Sequence, residues 1–323
     1  MKKMLIGLLI GLMMFSLACS SPSTNTDDAV ATIDGESISR AEFNRNLALI
    51  KYNITMRQGP NYFDDAGDEV LDPLREQLLE DMIDEHLILR EAKKADIGPT
   101  EEYMDDYYSR YMEATFGTAD APSEAGKAIR EFLDENDIDD DFLFRMLLND
   151  QTNREYIASI QRSIEDDEDK YDQLLKNSIA QVRGAHILVP LDQKDLADEL
   201  YQTLKDDPTQ FGELAKQNSI DGSAQDGGDL GYYVRTEMVP EFNDASFDAE
   251  VGVVTEPVES QYGYHLILIS EQRTLDEMDA AGVDEATIEL ATRGIMEDSI
   301  RREYYRRIDE WKNAAEIEKF DLK

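Results

Sequence analysis

The chain has 323 residues, enough for two domains, and its 71 acidic side chains against 32 basic ones give a formal net charge of −39. A surface this acidic repels nucleic acid and anionic lipid headgroups, so the composition argues against direct binding of either. Cys19 is the single cysteine, which excludes a disulfide bond within the chain.

The first residues have the pattern of an export signal. Lys2 and Lys3 precede an apolar run from Met4 to Phe15, which is shorter than the roughly 18 to 20 residues that span a bilayer. We therefore predict a signal peptide at 1–18 and a polar tether at 19–28. The position of Cys19 resembles the lipobox of bacterial lipoproteins, where the cysteine is acylated; ordinary signal cleavage near Ala18 is the alternative. Acyl chains would anchor the chain, since each buried methylene contributes about 0.8 kcal/mol.

The next segment predicts a hairpin followed by helices. Residues 29–38 alternate apolar and polar side chains around an Asp-Gly turn, which is typical of two short paired strands. Ser39 is placed to cap a helix, with Glu42 three residues on as in a capping box. The apolar stripe over 68–95 predicts a long helix with a broad buried face.

Further helices are predicted as far as residue 179. Thr100 caps a helix with a tyrosine stripe at helical spacing, formed by Tyr103, Tyr107, Tyr108 and Tyr111. This spacing favours packing in a core, and the alternative is a surface that binds exposed client segments. Two more helices are predicted around 129–135 and 140–164.

A different pattern begins at residue 181. Two short β-branched runs, Arg183–Val189 and Gly263–Ile269, each carry a histidine, His186 and His265, and predict buried strands. The glycine-rich loop between them offers Asp221 and Ser223. Helices packed on a mainly antiparallel sheet make this segment α+β. Its predicted strands are 182–189, 230–235, 253–258 and 264–271, and its predicted helices are 192–205, 208–217 and a turn from Pro240.

Four motifs in this segment carry a resemblance. They are His-Ile-Leu at 186–188, Gly-Gly-Asp-Leu-Gly-Tyr at 227–232, Pro-Glu-Phe-Asn-Asp-Ala-Ser-Phe at 240–247 and Gly-Tyr-His-Leu-Ile at 263–267. In this order they resemble a parvulin-type peptidyl-prolyl isomerase. With its flanks, the whole chain is similar to the extracytoplasmic foldase lipoproteins of the PrsA and SurA type.

The resemblance implies roles for particular residues. His186 and His265 would be paired core histidines that hold the shape of the site, Asp221 would lie beside the reacting amide, and Ser223 would orient the loop. The apolar cradle for the proline ring would be Leu230, Met238 and Phe242. Each residue also has a simpler interpretation, because strand histidines and apolar side chains usually just pack and an Asp-Gly pair often forms a turn.

The resemblance also implies an architecture and a location. An isomerase domain at 181–274 would be inserted into a helical chaperone domain built from 29–180 and 275–323. The protein would be lipid-anchored through Cys19 at the extracytoplasmic face of the cell membrane. Its partners would be unfolded or newly exported polypeptides with X-Pro bonds, with no cofactor and no nucleic acid. The oligomeric state is left open, a homodimer included.

The sequence also admits other functions. The chain could be a holdase chaperone for unfolded exported clients with a catalytically weak parvulin domain. A zinc site built from His186, His265, Asp221 and Asp229 lacks the spacing of a recognised zinc motif. A serine hydrolase using Ser223 lacks the Gly-x-Ser-x-Gly elbow. Phosphate-directed parvulins carry a basic cluster after the first strand. Residues 190–195 of this chain contain two aspartates and a single lysine instead, so phosphoserine recognition is not expected.

Overall fold

The computed structural model describes residues 28–63, 67–118 and 121–322. The predicted signal peptide and Cys19 lie outside the described residues. The helices are α1 (Arg40–Gln58), α2 (Asp68–Lys94), α3 (Glu101–Phe116), α4 (Glu124–Glu135), α5 (Asp140–Glu165), α6 (Glu168–Asn177), α7 (Lys194–Asp206), α8 (Phe211–Asn218), α9 (Pro240–Asp248), α10 (Leu275–Ala280) and α11 (Glu285–Ala314). The strands are β1 (Ala29–Ile33), β2 (Glu36–Ser39), β3 (Gly117–Thr118), β4 (Ala121–Pro122), β5 (Gln181–Val189), β6 (Asp229–Val234), β7 (Val258–Ser260), β8 (Gly263–Arg273) and β9 (Ile317–Lys319). In the described ranges, no helix combines the length and apolar character that a membrane crossing requires.

The described residues divide into two compact units, one from residues 28–160 with 303–322 and the other from residues 161–302. In the first unit β1 pairs antiparallel with β2, as the Asp-Gly turn predicted, and also with β9 near the end of the chain. Behind this sheet the buried face of α2, including Met82 and Ile83, packs with Phe43 of α1 and with Trp311. Residues from both ends of the sequence thus build one hydrophobic core.

The tyrosine stripe of α3 lies in a second cluster of the first unit. Tyr107, Tyr108 and Tyr111 are partly buried against apolar residues of α4 and α5, so the core interpretation holds for them. Tyr103 is different, because 44% of it is exposed while its ring stacks on that of Tyr107 at 5.8 Å. Thr100 accepts a hydrogen bond from the backbone N–H of Tyr103, which is the predicted cap.

The second unit contains an antiparallel sheet in the order β6-β5-β8-β7, and the predicted α+β class is confirmed. One side of the sheet packs against α7 and α8 through residues such as Ile187 and Leu200. The other side packs against α9 through Phe242 and Ile267. This second face carries both histidines.

The predicted strand at 253–258 is wrong. Within this stretch Val254 forms a single bridge to Leu268, and the strand beside β8 begins only at Val258 and ends at Ser260. Pro257 explains the short ladder, since it lacks the N–H that a continuous strand would use.

The second unit extends beyond the predicted isomerase limits of 181–274. Ala180 and Val234 are fully buried against Met278 of α10 and against Ala291 and Ile295 of α11. The predicted domain boundaries stay a prediction, because a packing unit and a domain need not end at the same residue. Within this unit, however, the helical residues 275–302 share a core with the sheet.

Asp298 of α11 lies at the centre of an ion-pair network in the second unit. Its carboxylate is 2.8 Å from the Arg302 guanidinium and 3.4 Å from that of Arg235, and it also accepts from Arg301. Arg301 in turn pairs with Asp244 of α9. Because Arg235 and Asp298 keep only 11% and 13% of their side chains exposed, neither charge is well hydrated without the other.

We expect Asp298→Asn to lower the free energy of unfolding by about 1 to 3 kcal/mol, since it leaves the largely buried guanidinium of Arg235 without its carboxylate. Urea denaturation of the full chain measures this loss. Glu297→Gln is the matched control, because Glu297 is the exposed neighbour on the same helix and the charge change is identical. Equal stability of the two variants would contradict a structural role for the network.

Candidate active site

The antiparallel pairing of β5 with β8 brings the two strand histidines together. In this register His186 lies opposite Ile267, and His265 lies opposite Leu188. The Nδ1 atoms of the two imidazoles are 3.3 Å apart, and the rings are nearly parallel. Both residues are buried, with 6% and 4% exposure, so each ring nitrogen needs a partner inside the protein.

The loop before β6 places Asp221 against the first histidine. Its Oδ1 atom lies 3.0 Å from Nε2 of His186, within ion-pair distance, but the approach is not aligned as a hydrogen bond. The same oxygen accepts hydrogen bonds from the backbone N–H and the hydroxyl of Ser223, at 2.8 and 2.5 Å. A third of the Asp221 side chain is exposed against 8% of His186, so Asp221 is the polar group that a bound molecule can reach.

Ser260 contacts the second histidine, and the sequence analysis did not predict this contact. Its Oγ atom lies 2.7 Å from Nε2 of His265 and also accepts the backbone N–H of Tyr262. Ser260 and Gly263 are paired across the two-residue turn that joins β7 to β8. Recognising this tight hairpin would have placed Ser260 beside His265, but the strand was predicted too early in the chain.

These contacts allow one chain of proton donors and acceptors. The Ser260 hydroxyl can donate to Nε2 of His265, and Nδ1–H of His265 can donate to Nδ1 of His186. The Nε2 proton of His186 then lies beside the Asp221 carboxylate. The hydrogen-bond chain thus runs from Ser260 through both imidazoles, and the negative charge lies on Asp221 at the partly exposed end.

The apolar part of the predicted site lies directly against the histidines. The ring of Phe242 meets His186 and His265 edge to face, with centroid distances of 5.4 and 5.2 Å. Leu230 and Met238 belong to the same hydrophobic cluster and are only partly buried. Phe242 is 2% exposed, so it forms the floor of this apolar surface, and the other two keep accessible area.

The pKa values of Asp221 and His265 both lie below their usual values, for different physical reasons. Burial raises the pKa of Asp221, but hydrogen bonds from Ser223 and the proximity of His186 outweigh it and hold that pKa well below its usual range. Burial, with a smaller contribution from His186, lowers the pKa of His265 to about 4. At neutral pH the site therefore combines an ionised carboxylate with a neutral His265.

Gly228 allows the loop and the first histidine strand to approach each other. Its φ is +81°, and a Cβ atom at this position would lie 2.2 Å from the carbonyl oxygen of His186. The backbone N–H of His186 donates to the carbonyl of Gly228 at 2.9 Å. The loop bearing Asp221 is thus fixed to β5 by a contact that only glycine permits.

Asp229, the fourth residue of the zinc site considered from the sequence, pairs with an arginine instead. Asp229 is 2.8 Å from the guanidinium of Arg183, in an ion pair on the neighbouring strand. Among the described residues no group of three or more histidine, cysteine or acidic side chains is arranged to hold a metal ion. The structure brings together His186, His265, Asp221 and Ser223, and it gives Asp229 a separate contact.

Comparison with known proteins assigns the family. The sequence model of the PPIC-type PPIase domain matches residues 173–273, and that of the SurA-like N-terminal domain matches residues 1–123. Foldase protein PrsA of Caldanaerobacter subterraneus subsp. tengcongensis is 32% identical, over 94% of this chain and 91% of that protein. The chain belongs to the PrsA foldase family.

Other PrsA proteins match as well. Foldase protein PrsA of Halalkalibacterium halodurans is 29% identical, over 81% of this chain and 73% of that protein. The crystal structure of peptidylprolyl isomerase PrsA from Bacillus anthracis is 22% identical, over 70% of this chain and 96% of that chain, with a TM-score of 0.31. The family assignment rests on the sequence relatives. It confirms the predicted activity: the chain is a protein-folding peptidyl-prolyl cis/trans isomerase of the parvulin type.

We expect Gly228→Ala in this PrsA-family chain to cost several kcal/mol of stability, on the order of a severe core mutation, because the new methyl group would overlap the His186 carbonyl. Thermal unfolding of the full chain measures the effect. Gly222→Ala in the same loop is the control, since a Cβ there meets no atom within 4 Å. The explanation fails if the two variants melt at the same temperature.

The pKa of His265 predicts a particular pH dependence. The folded pKa of about 4 lies below the unfolded value of about 6.5, so the associated stability is fully present above pH 6.5 and is lost as the pH falls toward 4. The slope is about 1.4 kcal/mol per pH unit over that interval. The NMR signal of the His265 ring should not titrate between pH 8 and 5, with His265→Gln providing its assignment. An ordinary midpoint near pH 6.5 would show that the ring is not held neutral by burial.

Proposed function

We propose that this PrsA-family protein accelerates cis/trans isomerisation of X-Pro bonds in newly exported polypeptides, using His186, Asp221, Ser223 and His265 as the polar site and Leu230, Met238 and Phe242 as the proline cradle. The observation that carries this assignment is the contact of a partly exposed, ionised carboxylate with one imidazole of a buried pair above an aromatic floor. The exported class of client is supported by the family and by the signal-like pattern at 1–18.

The chemistry needs no nucleophile. An X-Pro bond rotates slowly because amide resonance gives the C–N bond double-bond character, with a barrier near 20 kcal/mol. The resonance form places negative charge on oxygen and positive charge on nitrogen, and the twisted transition state loses it. Surroundings that disfavour this charge separation lower the barrier.

The site residues suit this task. An apolar surface at Leu230, Met238 and Phe242 would grip the proline ring and keep water from the amide. The Asp221 carboxylate beside the substrate carbonyl would oppose the build-up of negative charge on that oxygen in the planar amide. Ser223 fixes the orientation of Asp221 through two hydrogen bonds to the same oxygen.

The imidazole pair acts as a positioning element in this proposal. Nε2 of His186 would fix the position of the Asp221 carboxylate, and the contact of Ser260 with Nε2 of His265 would keep His265 against His186. Neither ring offers a large exposed surface, so direct contact with the rotating bond is assigned to Asp221 and to the apolar cradle. A change at either histidine would then act through the geometry of Asp221.

Attachment to the cell membrane is a further part of the proposal. A lipid on Cys19 would hold the chain at the extracytoplasmic face, which accords with two lysines, a short apolar run and Ala18 immediately before the cysteine. The surface charge would not itself attract anionic lipid, since the chain carries a net charge of −39. Release of the protein by treatment that removes acyl chains, together with mass spectrometry of Cys19, tests this assignment.

Asp221→Ala in the full chain tests the catalytic assignment. We expect the rate constant for isomerising a proline peptide to fall about tenfold or more, equivalent to at least about 1.4 kcal/mol of barrier. NMR exchange spectroscopy measures this rate without a coupled protease. Asp226→Ala is the matched control, because Asp226 is an exposed carboxylate of the same loop.

Two outcomes would count against the proposal. If Asp221→Ala and Asp226→Ala retain the same activity, Asp221 is not the reacting group. If the wild-type chain does not accelerate isomerisation but still suppresses aggregation of an unfolded client, the holdase interpretation replaces the catalytic one.

A further inference from the structure

The segment that follows β6 carries two of the three cradle residues. Residues 235–239 form a loop that contains Met238, and α9 begins at Pro240 and carries Phe242. In this loop Thr236 has a φ of +79°, a left-handed conformation that is strained for a β-branched residue. A residue under such strain keeps its conformation only where the surrounding structure holds it. The contacts of this loop therefore decide where Met238 lies.

Two hydrogen bonds hold the loop from within the segment. The side-chain amide of Asn243, which is 8% exposed, donates from Nδ2 to the carbonyl of Met238 at 2.7 Å. The carboxylate of Glu237 accepts the backbone N–H of Val234 at 2.7 Å. These bonds fix the loop at its two ends.

Helix α11 contacts the loop from outside the segment, next to the strained residue. Gly294 packs so closely on Arg235 that a Cβ at position 294 would lie 2.7 Å from the Arg235 Cβ and 3.3 Å from its carbonyl oxygen. Asp298, one turn further along α11, is 3.4 Å from the Arg235 guanidinium, and that group lies 4.3 Å from the centre of the Phe247 ring. The residue directly before Thr236 is thus held between α11 and α9.

The same helix also pairs with α9 itself. Arg301 pairs with Asp244, and Arg302 is 2.8 and 3.0 Å from the two carboxylate oxygens of Asp248. Because these four side chains are roughly half exposed, the two pairs should stabilise the contact less than the buried groups around Arg235 do.

We propose that α11 is a positioning element of the active site, although it lies beyond residue 274, where the sequence analysis ended the isomerase domain. Its contacts with residues 235–248 hold Met238 and Phe242 in the geometry that receives the proline ring. The inference rests on the proposed function, because the cradle is assigned there. A cradle that grips the proline ring equally in the ground state and in the transition state contributes to KM and not to kcat.

Asp298→Asn in the full chain tests this role. We expect KM for an X-Pro peptide to rise about fivefold, equivalent to about 1 kcal/mol, while kcat changes less than about twofold. NMR exchange at a series of peptide concentrations separates the two constants, and circular dichroism checks that the variant is folded at the assay temperature. Glu297→Gln is the matched control, since Glu297 is the exposed neighbour on the same helix, and it should keep the wild-type KM.

Gly294→Ala repeats the test without a change of charge. The new methyl group would overlap Arg235 and displace the loop from α11, so KM should again rise while kcat is retained.

Thr236→Gly separates positioning from a general loss of stability. Glycine adopts a φ of +79° without strain, so the loop would keep its geometry with fewer contacts. Added to Asp298→Asn, Thr236→Gly should return KM to within about twofold of the wild-type value. Recovery of KM while the pair of Asp298 with Arg235 is still missing would assign the effect to the geometry of the loop.

Met238→Ala distinguishes failure of this inference from failure of the proposed function. If Met238→Ala leaves KM unchanged, the cradle assignment fails and the role of α11 fails with it. If Met238→Ala raises KM but Asp298→Asn and Gly294→Ala do not, only the role of α11 is overturned. A loss of kcat alone in those two variants, or a double variant with Thr236→Gly that binds as poorly as Asp298→Asn, also overturns it.

Discussion

Two imidazoles buried side by side need a partner for each ring nitrogen, and this need organises the second unit. The pairing of β5 with β8 supplies the contact between the two Nδ1 atoms. The outer nitrogens are served by Ser260 on one side and approached by Asp221 on the other. An unpaired polar group in such a place would cost about 1 to 3 kcal/mol. The positions of the Asp221 loop, the β7–β8 hairpin and the two histidines therefore depend on one another.

The same arrangement divides the site into two chemical halves. Phe242 meets both imidazoles edge to face, and Asp221, the carboxylate that contacts His186, lies at the partly exposed edge of the site. In the proposed mechanism this boundary disfavours the resonance form of the peptide bond, because the apolar side would disfavour charge separation and the carboxylate would oppose negative charge on the carbonyl oxygen. Catalysis here needs precise placement more than reactive groups.

The sequence allowed much of this to be predicted, for physical reasons. The β-branched runs around His186 and His265 and the glycine-rich loop around Asp221 are local patterns, and the fold retains them. Ser260 escaped prediction because its role depends on the register between β7 and β8, which the stretch near Pro257 obscures. The Asp298 network was also missed, because it joins arginines and aspartates that are up to 63 residues apart and look like ordinary surface charges.

Helix α11 has a practical consequence for how the catalytic unit can be isolated. Ala291 and Ile295 complete the core that covers Ala180 and Val234, and Asp298 anchors the α9 segment through arginine. A fragment cut after Thr274 would uncover aliphatic surface and leave Arg235 without its counterion. A fragment that keeps this core and its ion pairs therefore has to retain α10 and the residues of α11 up to Arg302.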